Sequence, residues 1–216
     1  VDADDTVIAA LEGFREVAPA HNPPYAEGIR QFRQILPDAR LVALFETAFY
    51  QWVPQAAARY AVPKEWHDAG IRRYGFHGAS HKFVAERSAE LMGRDDVAES
   101  VRGLYVNGPQ EISGEPLRVI SFHLGGSSSV TGIRNGVAIG TSMGFSPQSG
   151  LPKNNRVGDL DSGALPYASK ALGITMEEAE RQLTKESGLQ GVSGVSNDLR
   201  DICDAAESGN NDAQLA

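Results

Sequence analysis

"LRVISFHLGGSSSVTGIRNGVAIG", residues 117–140, carries the reading of the fold. Leu117–Leu124 is a short run rich in β-branched and aromatic residues, and it ends at once in Gly125, Gly126 and three serines. The next eleven residues, "VTGIRNGVAIG", give a strand, an Asn135-Gly136 turn and a second strand. Asn-Gly between apolar runs is a strong short-range hairpin signal, because the tight turn needs two residues at positive φ. A strand running into glycines and small hydroxylated residues also exposes backbone N–H groups that can cradle an anion. The same Gly-Gly-Ser sequence suits a plain hairpin connection, and both readings stay open.

Helical patterns surround this block. Residues 4–14 carry Val7, Leu11 and Phe14 on one stripe, and residues 26–36 repeat the pattern with Ile29, Phe32 and Leu36. Between them Pro23 and Pro24 are expected to bar helix and hold an extended loop. Arg40–Phe45, "RLVALF", reads as a buried strand. Ser80 is a plausible cap for a helix that puts Val84, Ser88 and Leu91 on one face and stops at Gly93. Thr175, three before Glu178, opens a further helix that ends by Gly188, and Asn197-Asp198 caps another. Strands alternating with helices, with hairpins between, give an α/β class with a mixed sheet and flanking helices.

Bulk properties exclude several functions. The formal charge of -8 argues against a nucleic-acid partner, whose phosphates need a basic surface. It leaves room for a small phosphate ligand held by a few local arginines. Cys203 is the only cysteine, so neither a disulfide framework nor a cysteine zinc site is available, and a reducing, cytoplasmic setting is the default. No apolar run approaches the roughly 18 to 20 residues that span a membrane. The chain begins at Val1 rather than Met and stops in "AAESGNNDAQLA", so a fragment of a longer protein is expected.

Five places could carry chemistry. "IRRYGFHGASHKFV", residues 71–84, sets His77 and His81 four apart beside Arg72 and Arg73. Metal binding would need a further acidic or histidine ligand, and no H-E-x-x-H occurs. His81 reads as an exposed or capping histidine, whereas His77, between two glycines, suits a positioned donor to an oxyanion or phosphoryl oxygen. Glu46 follows the run 40–45 where α/β sheets keep polar site residues, or is a solvated strand-end carboxylate. Arg156, in "KNNRVGDLD", either clamps a phosphate or carboxylate or pairs on the surface with Asp159 and Asp161. His21 is held by prolines. The fifth place is the His123–Ser127 turn, and neither a Walker pattern nor G-x-S-x-G is present.

In order, "HNPP", "FETAF", "RRYGFHGASHKFV", "HLGGSSS", "TSMGFSPQSG", "NNRVGDLD" and "GLQGVSGVSNDLRDI" resemble the successive motifs of the acetate kinase (acetokinase) family over nearly the whole chain. That resemblance implies the actin-like ATPase, ribonuclease H-like fold group that also holds sugar kinases and Hsc70. Residues 1–48 would be the tail of a first domain and 49–216 the larger part of a second. It implies transfer of the ATP γ-phosphoryl to a short carboxylate, acetate or propionate, with Mg²⁺, in a cytoplasmic homodimer. His77 then matches a histidine contacting the transferring phosphoryl, and Arg156 the arginine that stabilises the transition state. His123 with Gly125, Gly126 and Ser127 matches a phosphate-binding motif. His21, Ala20, Phe76 and Pro147 fall around the carboxylate and its acyl pocket.

Departures from the family pattern mark this chain. Glu46 stands where the family has a magnesium-organising aspartate. "HLGGS" replaces the usual "HLGNG", so Gly126 takes the place of an asparagine and Ser127 that of a glycine. "KNNR" replaces "MGTR", and Ala20, small for its position, would admit propionate or larger acids; the glycine-richer loop is some support for a changed donor or acceptor, such as butyrate. Four further family motifs have no counterpart in these residues, so no turnover is expected of this stretch alone. The alternative is a catalytically drifted, non-enzymatic nucleotide- or phosphate-binding member of the same fold.

Overall fold

A computed structural model describes residues 1–15 and 21–216. It has eleven α-helices among those residues and one antiparallel sheet. Helix α1 (Asp5–Gly13) starts where the Asp4 carboxylate accepts from the Val7 N–H at 3.0 Å, and it buries Val7, Ile8 and Leu11. These pack on Ala26 of α2 (Asn22–Ile35), with Ile29, Ala43 and Phe45 at the edge. The prolines do not hold an extended loop at 21–24: they sit in the first turn of α2, where a missing N–H costs nothing because that turn has no intrahelical acceptor to reach. Residues 18–20 of that expected loop lie outside the described residues.

Arg40–Phe45 is not a buried strand. It makes one bridge, Asp2 to Val42, and leaves Val42 66% and Leu44 59% exposed. An apolar run fixes extended backbone only where a neighbouring strand supplies the ladder, and Asp2 is the one ladder partner it finds among the described residues.

A second core lies downstream. A 3₁₀ turn (Ala48–Tyr50) buries Phe49 and Tyr50 beneath α5 (Gly78–Leu91), which packs on α6 (Asp95–Asn107) and on strand β1 (Arg118–Leu124). Short helices α3 (Gln55–Ala58) and α4 (Lys64–Asp68) bridge the turn to α5. Strands β2 (Ser128–Arg134) and β3 (Val137–Thr141) complete the order β1-β2-β3. Asn135 at φ 48° and Gly136 at φ 79° make the expected tight turn. Both connections are hairpins, so the three strands pair antiparallel throughout; a mixed sheet would need a crossover between parallel strands. Helices α7 (Ala164–Leu172), α8 (Met176–Lys185), α9 (Gly188–Ser193), α10 (Leu199–Glu207) and α11 (Asn211–Leu215) follow. Thr175 and Asp198 cap α8 and α10 as their sequences indicate.

Two features of α5 differ from expectation. It begins at Gly78, two residues before Ser80, with His77 as its cap in the left-handed conformation (φ 61°, ψ 30°). Its buried face is Gly78, His81, Ala85 and Ala89, while Leu91 is 71% exposed. Gly78 sets the start: its N–H donates to the Glu46 carbonyl at 2.9 Å, and a Cβ there would overlap that oxygen. Strand β1 is likewise inverted for a simple core strand. Ile120, Phe122 and Leu124 face outward, while Ser121 is buried and His123 half-buried on the opposite side.

Candidate active site

A cleft of about 750 Å³ opens between the α1–α2 unit and the N-terminal end of α5. His21, Glu46, Phe76, His77 and His123 line it together with Ser127, Pro147 and Arg156. Eight of the singled-out residues therefore converge on one space. Gly125 and Gly126 form the turn at its rim, and Ala20 lies outside the described residues. Apolar surface from Leu11, Ile29, Ala43 and Phe45 covers the side near His21, whose ring stacks on Tyr25 at 6.1 Å.

His77 owes its position to buried hydroxyls. Its Nδ1 lies 2.8 Å from Ser129 Oγ, and that oxygen lies 2.7 Å from His81 Nε2. His81 Nδ1 lies 2.8 Å from Ser121 Oγ. His81 is fully buried, so the expectation of an exposed or capping histidine is overturned. The proton order follows from donor accounting. Ser121 is 2% exposed and has no other partner among the described residues, so its O–H donates to His81 Nδ1. His81 Nε2–H then donates to Ser129 Oγ, and the Ser129 O–H donates to His77 Nδ1. His77 thus carries its proton on Nε2, at the edge away from Ser129. The strand register makes the row, since Ser121 pairs with Thr131 and His123 with Ser129 across β1 and β2.

Burial first, then His123, His81, Arg156 and Lys153, push His77 from 6.5 down to about 4. Burial, with His123, does the same to His81. Both are neutral at pH 7, and Arg156 and Lys153, the arginine and lysine acting on His77, set a positive field that also attracts phosphoryl oxygens. His77 and His123 stack at 3.9 Å, and His123 Nδ1 lies 3.0 Å from Ser80 Oγ. Ser80 is therefore a partner of the site rather than the cap of α5.

Arg156 makes no surface ion pair among the described residues. Asp159 Oδ1 accepts from Gly150 N at 2.7 Å, and Asp161 Oδ1 accepts from Gly163 N at 2.7 Å. The Arg156 guanidinium is half-buried and donates through Nη1 to the Pro147 carbonyl at 3.2 Å, leaving most of its fork without a partner among the described residues. Burial lowers its pKa. Its loop is pinned from two sides. Lys153, 1% exposed, donates to the carbonyls of Gln148 (2.9 Å), Ser149 (2.6 Å) and Leu151 (2.7 Å). Gly188, at φ 64°, lies so close to the Lys153 and Arg156 carbonyls that a Cβ would overlap both. Burial, then Arg156, lower Lys153 to about 8. By contrast Arg72 and Arg73 stack on Tyr74 and Tyr60, at 5.6 and 4.6 Å, and do not line the cleft.

Ser121, Ser129, Ser80 and Lys153 escape sequence reading. A faint signal exists for the first: Ser121 and His123 alternate with apolar residues on β1, so the polar pair shares one face. Among the described residues no group of three or more histidine, cysteine or acidic side chains could hold a metal by itself. Among the described residues no helix is long and apolar enough to cross a membrane.

Comparison with known proteins identifies the family. The profile of the acetokinase family matches residues 2–216. Acetate kinase 2 of Listeria monocytogenes is 44% identical over 214 residues, covering 99% of this chain and 49% of that protein. A propionate kinase of Escherichia fergusonii is 46% identical over 213 residues, covering 98% and 48%. Among solved structures, Porphyromonas gingivalis acetate kinase superposes with a TM-score of 0.84 at 38% identity, over the whole of this chain and 50% of its own. A propionate kinase from Francisella tularensis gives 0.85 at 36% identity, over the whole of this chain and 51% of its own. The chain spans about half the length of the curated relatives it matches.

Proposed function

Because this chain belongs to the acetokinase family and shares the fold of its solved members, we propose that its cleft joins a short-chain carboxylate to the terminal phosphoryl of ATP. The products are an acyl phosphate and ADP. The observation that carries the reading is the convergence of His77, Arg156 and Glu46 on one cleft, with the His77 N–H directed away from its buried anchor.

A carboxylate is already anionic, so the reaction needs no base. The barrier is bringing two anions together in line. A carboxylate oxygen forms the new bond to phosphorus as the bond to the β–γ bridging oxygen breaks, and the electron pair leaves on ADP. Arg156 can spread its free N–H groups over two equatorial oxygens while Pro147 fixes its tilt. His77 Nε2–H takes another, and because it is neutral and held by Ser129 it needs no reorganisation as charge develops. His123 and the Gly125–Ser127 turn receive the remaining phosphate oxygens. His21 orients the carboxylate, and Phe76 and Pro147 bound its alkyl end. Glu46 is the one carboxylate among the described residues lining the cleft, which fits Mg²⁺, an ion bound through one or two carboxylates plus substrate phosphates. When bound, Mg²⁺ neutralises phosphate charge.

Acetate and propionate are the acceptors assigned, on the apolar lining near His21. The boundary between first- and second-domain segments falls near residue 48, supported by the separate cores on either side of it. A homodimer and a cytoplasmic setting complete the assignment, the latter supported by the lone free cysteine. The test is ADP formation from ATP and Mg²⁺ with acetate, propionate and butyrate, trapping acyl phosphate with hydroxylamine, on the full-length gene product. Hydroxamate lost in His77→Ala and Arg156→Ala is the expected result. No hydroxamate with any acid, from folded protein, overturns the reading.

A further inference from the structure

The turn after β1 presents unsatisfied donors. Gly125 N–H is used internally, on the Ser127 carbonyl at 3.1 Å, but the N–H groups of Gly126 and Ser127 have no partner among the described residues. Ser127 Oγ is shielded from solvent and equally unpartnered. Above this turn stands Asn154, from the loop that carries Arg156. A Cβ built on Gly126 would lie 3.5 Å from Asn154 Nδ2. The amide is oriented, because Asn154 Oδ1 accepts from the Asn155 N–H at 2.9 Å, which leaves Nδ2 as the end facing the turn. The backbone under it is fixed too, with Gln190 N–H donating to the Asn154 carbonyl at 2.9 Å.

We infer that Asn154 is a phosphate-binding residue: its Nδ2–H₂ completes the donor set of the Gly125–Ser127 turn and holds a phosphoryl oxygen of the nucleotide. This rests on the kinase reading and adds to it a ligand contact from the opposite loop. The geometry also explains two of the chain's departures together. An asparagine side chain at 126 would project from its Cβ into the volume that the Asn154 amide now fills. The space between the two loops holds one amide, delivered from either side. Glycine at 126 and asparagine at 154 are then one arrangement, not two independent losses.

The test uses the full-length protein, calorimetric titration with ADP and with ATP·Mg²⁺, and KM for nucleotide and for carboxylate from the hydroxamate assay. Asn154→Ala should weaken nucleotide binding about 3- to 10-fold, the worth of one neutral hydrogen bond, with the carboxylate KM unchanged. Asn154→Asp keeps the acceptor that shapes the loop but sets a negative charge against phosphate, and should weaken nucleotide more than Asn154→Ala. Gly126→Asn alone should crowd the turn and weaken binding, whereas Gly126→Asn with Asn154→Gly should restore it to within about twofold of wild type. A purely structural Asn154 predicts the reverse: tolerance of Asn154→Asp and no rescue from position 126. Either of those results, with wild type binding and turning over normally, overturns the assignment while leaving the kinase reading intact. A wild-type protein that binds no nucleotide overturns both.

Discussion

Replacing His81 by glutamine should change how stability depends on pH. His81 is wholly buried and held neutral between Ser121 and Ser129, with its pKa lowered from 6.5 to about 4, chiefly by burial. Below pH 6.5 the unfolded chain takes up a proton on this residue that the folded chain refuses until about pH 4. The unfolded state therefore binds more protons across that interval, and stability falls as pH falls. Integrating the two titrations from pH 7 to pH 5 gives about 2 kcal/mol lost through His81, and about 3 kcal/mol over the whole window.

Glutamine cannot titrate and can satisfy only part of the serine pair. At pH 7 His81→Gln should cost about 1–3 kcal/mol from the hydrogen bonds it fails to remake. That gap should narrow by about 2 kcal/mol at pH 5, because only the wild type pays the proton-linked cost. Glu178 and Asp198, lowered to about 2 by hydrogen bonds from Arg181 and Arg200, stay ionised in both proteins across these pH values. Urea unfolding followed by circular dichroism at pH 7, 6 and 5, at constant ionic strength, measures the gap. A gap that stays constant to pH 5 would refute the assignment of a neutral, buried His81.

The same geometry fixes other outcomes. Ser129→Ala removes the donor to His77 Nδ1, so the His77 proton should redistribute between its two nitrogens, seen as a change in imidazole ¹⁵N shifts, and kcat should fall about 10-fold; unchanged shifts would sink the relay. Gly188→Ala puts a Cβ against the Lys153 and Arg156 carbonyls at positive φ, and should displace Arg156 enough to cost on the order of 100-fold in kcat. Burial first, and then the cations beside it, hold His77 down to about 4, so saturating inorganic phosphate or ADP should raise its titration midpoint in NMR, and a midpoint that stays put would exclude a bound anion beside it.

Local chemistry made part of this molecule legible. Asn135-Gly136 and the caps at Thr175 and Asp198 act over a few residues, so the hairpin and two helices could be read directly. Where the deciding contact is distant, the sequence misleads. The start of α5 is set by the Glu46 carbonyl, 32 residues from Gly78, and not by a side-chain cap. His81 looks like a helix-surface residue until Ser121 and Ser129, 40 and 48 residues away, are placed on its ring. Arg40–Phe45 has the composition of a buried strand, but composition does not supply a ladder. Eight residues singled out by the family motifs line one cleft, because such motifs fix position in the fold. The hydroxyl relay and the Lys153 clamp appear only once β1 and β2 pair and the loop closes.

His77 shows why the cleft needs both halves of this architecture. Its left-handed backbone costs about 1–2 kcal/mol in a residue with a Cβ. The strain persists because its flanks are over-determined. Tyr50 donates to the Phe76 carbonyl at 2.6 Å on one side, Gly78 is tied to the Glu46 carbonyl on the other, and Ser129 holds the ring. One consequence is that Glu46 and His77 cannot move apart without breaking the Gly78–Glu46 bond. The carboxylate and the imidazole thus travel as one jaw, while Arg156 and Asn154 form the other on a loop clamped by Lys153 and Gly188. A phosphoryl group bound between them would touch both, so its binding energy can be spent on fixing the separation of the jaws, which is the quantity in-line transfer depends on.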